Sequence, residues 1–127
     1  MPYGYKRKVS LSFDEAVSKT KAALLQEGFG VLTEIDVQAT LRKKLNVEYG
    51  KYVILGACHP PSAYQALQAE KEIGLLLPCN VIVYEDGGHV LASAILPTVA
   101  LGMVKSPALV GIARTVEEKL KKVIDSI

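Results

Sequence analysis

Cysteine is scarce in this chain of 127 residues: it occurs only twice, at Cys58 and Cys79. Two thiols so separated leave no CxxC redox motif and no paired-cysteine zinc pattern. There is also no HExxH sequence and no serine in a nucleophile-elbow setting. Gly28 and Gly30 follow a helical stretch, whereas a dinucleotide fingerprint needs strand, glycines and then helix. Long hydrophobic runs are missing as well. Nothing approaches the roughly 18 consecutive apolar residues of a membrane span. The opening MPYGYKRKVSLSFDEA has basic residues but no apolar h-region, so no signal peptide is expected. A strong excess of either charge is absent too. The net charge is +2, which gives no reason to expect nucleic acid or an anionic membrane as a partner. The one dense basic run, Arg42-Lys43-Lys44, spreads around a helix and reads as a solvated face. A cytoplasmic location with free thiols is the resulting expectation.

Half of the residues are hydrophobic and 22% are charged, the balance of a globular protein. The length fits one domain, residues 1–127. Tyr5–Leu11 reads as a first strand. Ser12 and Glu15 have capping-box spacing, so a helix follows, with Phe13, Ala16, Val17, Thr20 and Leu24 on one face and Gly28 at its C-terminal end. FGVLTEIDV reads as a second strand, with Val31, Thr33, Ile35 and Val37 on one side. A short helix over Gln38–Leu45 comes next. The apolar run from Lys51 to Cys58 reads as a central strand. Ser62 is expected to cap a third helix reaching Ile73. Asp86-Gly87-Gly88 signals a hairpin between Val81–Glu85 and Val90–Ile95, because glycine accepts the positive φ of a tight turn. Thr98–Lys105 is ambiguous, and Ser106-Pro107 starts a last helix. The order is β-α-β-α-β-α-β-β-α. The fold class is α+β: a single compact domain, a mainly antiparallel sheet with helices packed on it.

Candidate chemistry is confined to GACHPP and LPCN. Cys58 ends a strand at the start of a helix, where a thiolate is favoured, and His59 could serve as base or ligand. Against that, both cysteines border apolar strands and could be plain core packing. Glu70 falls on the apolar stripe Ala63, Ala66, Leu67, Ile73, so it either lies at the stripe's edge or faces a polar cleft. The ligand-binding candidates are Cys58, His59, Glu70, Cys79 and Asn80. The metal candidates are Cys58, His59 and Cys79, since thiolate and imidazole favour zinc or copper. A shared site requires the chain from Gly74 to Cys79 to double back along the third helix. The residues leave any cofactor unknown.

The stretches GFGVLTEIDV, YVILGACHP and LLPCNVIVYEDGGHV resemble the small prokaryotic family known as domain of unknown function 302. The resemblance spans nearly the whole chain. It implies a compact α+β fold, single-domain chains and homodimers, and it implies no activity. Three functional readings stay open: a small-ligand or metal binding or sensing module at the cysteine motifs; a thiol-dependent enzyme using Cys58 or Cys79; and a structural or interaction homodimer without ligand. The apolar segment Val99, Leu101, Met103 and Val104 adds to the expectation of a homodimer.

Overall fold

The computed structural model describes residues 2–127. Its five strands are β1 (Gly4–Val9), β2 (Gly30–Asp36), β3 (Tyr52–Cys58), β4 (Cys79–Asp86) and β5 (His89–Ile95), forming one sheet in the order β1-β5-β4-β3-β2. Every neighbouring pair is antiparallel. The helices are α1 (Phe13–Gln26), α2 (Val37–Leu45), α3 (Pro60–Ala69), α4 (Pro97–Ala100) and α5 (Pro107–Asp125). Short 3₁₀ turns occupy Lys71–Leu76 and Leu101–Met103. The expected class and element order are those of the structure.

Local chemistry explains most boundaries. Ser12 accepts from the Glu15 amide at 3.1 Å, and the Glu15 carboxylate accepts from the Ser12 amide at 3.2 Å. Two of the four free donors at the start of α1 are thereby satisfied. Gly28 follows α1 with φ +85°, a conformation that costs an L side chain energy. The β4–β5 hairpin turns through Gly87 (φ +57°) and Gly88 (φ +80°), with Asp86 opposite His89. Two successive positive φ values match the strand twist.

One face of the sheet carries the main core. Leu55, Val81, Val83 and Ala92 lie beneath Ala16 and Leu24 of α1 and Leu120, Val123 and Ile124 of α5, and all are at most 1% exposed. Arg7, on the same face of β1, donates to the main-chain carbonyls of Ile124, Asp125 and Ile127. It thus satisfies acceptors that the end of α5 leaves without intrahelical partners.

Four expectations are corrected. Alternation along β2 is broken by a register shift between Val31 and Thr33, and Val37 opens α2 instead of ending the strand. Helix α3 stops at Ala69, not Ile73, and Glu70 is its extended C-cap (φ −153°, ψ 107°). The N-cap of α3 is His59, with Pro60 and Pro61 filling the first two positions, so Ser62 lies inside the first turn. Ser106 precedes α5 but its hydroxyl makes no cap hydrogen bond.

Candidate functional site

Helix α3 and the first half of α5 do not lie over the main core. They pack on each other beside the end of β3 and the start of β4. A second, smaller core of Ala66, Ile73, Leu101, Leu109 and Ala113 holds them together. Between the two cores lies a cavity of about 280 Å³. The sheet supplies Ala57, Cys58, Pro78 and Cys79. Ala63 and Ala66 come from α3, Ile112, Ala113 and Val116 from α5, and Phe29 and Pro97 from the flanks. No carboxylate, lysine or arginine lines it. The alanines on α3 and α5 keep this space open, because larger side chains there would fill it.

Strand pairing places the two thiols. Ala57 is opposite Cys79 in the β3–β4 register, so both lie on the same face. Cys58, one residue further, points to the opposite face. Both residues border the cavity, from adjacent strands. Both cysteines are free. The chain does return from α3, through the turn Lys71–Leu76, so that Cys79 comes beside the end of β3. Burial, reinforced by the neighbouring Cys58, pushes the Cys79 thiol up to about 11. It is therefore protonated near neutral pH, a poor nucleophile and a poor metal ligand.

His59 is the cavity's polar edge. Its Nδ1 is 2.7 Å from Oγ of Ser62, a contact between the N-cap and the third helical position. Its ring is tilted 56° against Phe29 with centroids 5.5 Å apart, and a methyl group on Gly28 would touch it at 3.3 Å. Partial burial, with a smaller contribution from Lys119, lowers its pKa from the ordinary 6.5. The imidazole is thus neutral at pH 7.

Glu70 and Asn80 do not line this cavity. The Glu70 carboxylate turns to the amide of Glu72 at 3.4 Å, and exposed Asn80 borders a separate depression with Leu75 and Ile95. Among the described residues, no group of three or more His, Cys, Asp and Glu side chains comes together as a metal site. Ser62, Phe29 and Ile112 were not expected at the site. Only the i, i+3 spacing of His59 and Ser62 across Pro60-Pro61 could have signalled one of them. No described helix is long and apolar enough to cross a membrane.

Fold and cavity together define a small α+β domain with an apolar pocket at one end of an antiparallel sheet. The family model described as "Domain of unknown function DUF302" matches residues 5–127, and the chain belongs to that family. It is similar to the crystal structure of uncharacterized conserved protein DUF302 from Bacillus stearothermophilus. The two are 32% identical with a TM-score of 0.92, and the match covers 98% of each chain. No curated protein matches the chain.

Proposed function

We propose that this protein is a small-molecule binding module, and that the cavity beside Cys58, His59 and Cys79 receives a neutral, mainly apolar ligand. The observation that carries this is the lining: about 280 Å³ of space walled by aliphatic, aromatic, thiol and proline groups, with no charged side chain. An ionic ligand there would lose its hydration without gaining a counter-charge. Apolar cavities of ~150 Å³ accept a benzene-sized molecule, so this one suits roughly ten non-hydrogen atoms. His59 and Ser62 offer one hydrogen-bonding position to orient it.

The metal form of this reading has less support, because Cys79 is held protonated and the candidate ligands point apart. A thiol-dependent enzyme would rest on Cys58 alone, just before the start of α3, because the Cys79 thiol is held protonated. A cytoplasmic location is part of the same proposal and rests on the two free cysteines. The test is titration with indole followed by amide NMR. Shifts concentrated at Ala57, Ala63, Cys79 and Ala113 are expected. Saturable shifts confined to other surfaces, or no shifts at millimolar indole, would reject the site.

A further inference from the structure

Among the described residues only two polar ones are buried, Thr20 and Ser62. Thr20 returns its hydroxyl to the Ala16 carbonyl of its own helix at 2.7 Å. The exposed Thr40 and Thr115 do the same toward Asp36 and Gly111, which is a common outlet for a helical hydroxyl. Ser62 departs from this habit. Its Oγ meets Nδ1 of His59 at 2.7 Å, and both residues line the apolar cavity. Phe29 and the bare backbone of Gly28 hold the imidazole in place. A neutral ring with its hydrogen on Nε2 accepts the Ser62 proton at Nδ1, and the lowered pKa of His59 keeps the ring neutral at pH 7. Pro60 and Pro61 have no N–H, and the Ala63 amide donates to the His59 carbonyl at 2.9 Å. The Ser62 amide is therefore the donor of this first turn left without an acceptor among the described residues. A hydroxyl beside an accepting imidazole, a free amide on the same residue and a dry cavity are the parts of covalent acyl transfer.

We propose that Ser62 and His59 act as nucleophile and base, and that the protein hydrolyses aryl esters whose small apolar acyl group enters the cavity. The activity rests on the binding of apolar molecules in that cavity and names their class. Ser62 Oγ bonds to the carbonyl carbon while its proton passes to Nδ1. The carbonyl π pair moves onto oxygen, where the Ser62 N–H and the positive end of α3 stabilise it. The adduct then collapses. The bond to the aryl oxygen breaks, and that oxygen takes the electron pair and the proton from Nδ1. Water next attacks the acyl carbon and gives a proton to Nδ1, and Ser62 Oγ departs with that proton. One ester and one water become one acid and one phenol, with no change of oxidation state.

The surroundings of His59 select the kind of ester. Among the described residues no carboxylate hydrogen-bonds to its ring, and the charge acting on it is that of Lys119. An imidazolium is therefore disfavoured, whereas a catalytic triad stabilises one with an aspartate. Alkyl esters and amides, whose leaving groups need strong protonation, are poor substrates for such a base. An aryl oxygen leaves readily and needs little help. The lining holds no charged side chain, which excludes a charged acyl group. At about 280 Å³ the cavity suits an acyl chain of about four to six carbons.

Hydrolysis of 4-nitrophenyl butyrate by the native chain is the test. Ser62→Ala and His59→Gln should each lower kcat/KM by roughly tenfold or more. Alanine is a strong helix former, so Ser62→Ala keeps the fold. Phenylmethylsulfonyl fluoride gives a readout separate from turnover, because Ser62 Oγ displaces fluoride and keeps the sulfonyl group. Peptide mass spectrometry should find that group on Ser62 in the native chain and not in His59→Gln. Excess indole should slow both reactions. Turnover unchanged in Ser62→Ala, or a label confined to Cys58, would overturn the proposal. So would native turnover no faster than that of free imidazole at equal concentration. If the indole-induced NMR shifts persist in that case, the activity falls and the binding site stands; if they are absent too, both fall.

Discussion

Filling the cavity should stabilise the protein and abolish ligand binding together. Ala63 lies half-buried on the cavity wall of α3, and leucine is nearly as good a helix former as alanine. Ala63→Leu adds three carbons, roughly 75 Å³, to a space of about 280 Å³. Cavity volume costs ~24 cal/mol per Å³, so removing that much is worth about 1.8 kcal/mol. Counting carbons at ~0.8 kcal/mol each gives about 2.4 kcal/mol for complete burial. Because the position is only half-buried, the expected gain is about 1–2 kcal/mol. In a domain of this size that raises the melting temperature by roughly 3–8 °C. Urea denaturation measures it as a higher midpoint at unchanged slope. The same variant should lose its indole-induced NMR shifts. A loss of more than ~1 kcal/mol with indole binding retained would show that the space is not an open cavity and would refute the reasoning.

Other expectations follow from single contacts. A Cβ at Gly56 would overlap Oγ1 of Thr33 and lie 2.9 Å from Cγ of Pro78. Gly56→Ala should therefore cost about 1–3 kcal/mol by urea midpoint. Because the folded-state pKa of His59 is lowered, the unfolded chain binds the proton more readily. The contribution of His59 is complete above about 6.5 and falls as the pH drops below that value. His59→Gln should flatten that part of a stability-against-pH curve, and an unchanged slope would contradict the assigned environment. With the Cys79 thiol at about 11, iodoacetamide at pH 7.5 should modify Cys58 well before Cys79, as peptide mass spectrometry can resolve.

Signals within a few residues were legible in the sequence. Ser12 with Glu15, the Gly87-Gly88 turn and the Pro107 start of α5 each act over one turn or one hairpin, and each lies where the sequence places it. Helix α3 was read too long because Leu67 and Ile73 keep helical spacing while the backbone at Glu70 is extended. That removed the reason for placing Glu70 on an apolar stripe. The register shift in β2 depends on pairing with β3, which no pattern within β2 alone reveals. For the site, the sequence pointed to Cys58, His59 and Cys79, and all three line the cavity. It could not show that Ile112, Ala113 and Val116 arrive from the far end of the chain to complete the wall, because that contact is non-local. The opposed directions of Cys58 and Cys79 follow from a one-residue offset in register, and only the pairing fixes that offset.

The central claim is that the cavity beside Cys58, His59 and Cys79 takes a neutral apolar molecule. A crystal structure of the protein soaked with indole tests it most directly. The account expects indole density enclosed by Phe29, Ala63, Cys79 and Ile112, with its N–H directed toward the Ser62–His59 pair. Density for indole elsewhere, with side chains collapsed into an empty and smaller space at this position, would contradict it.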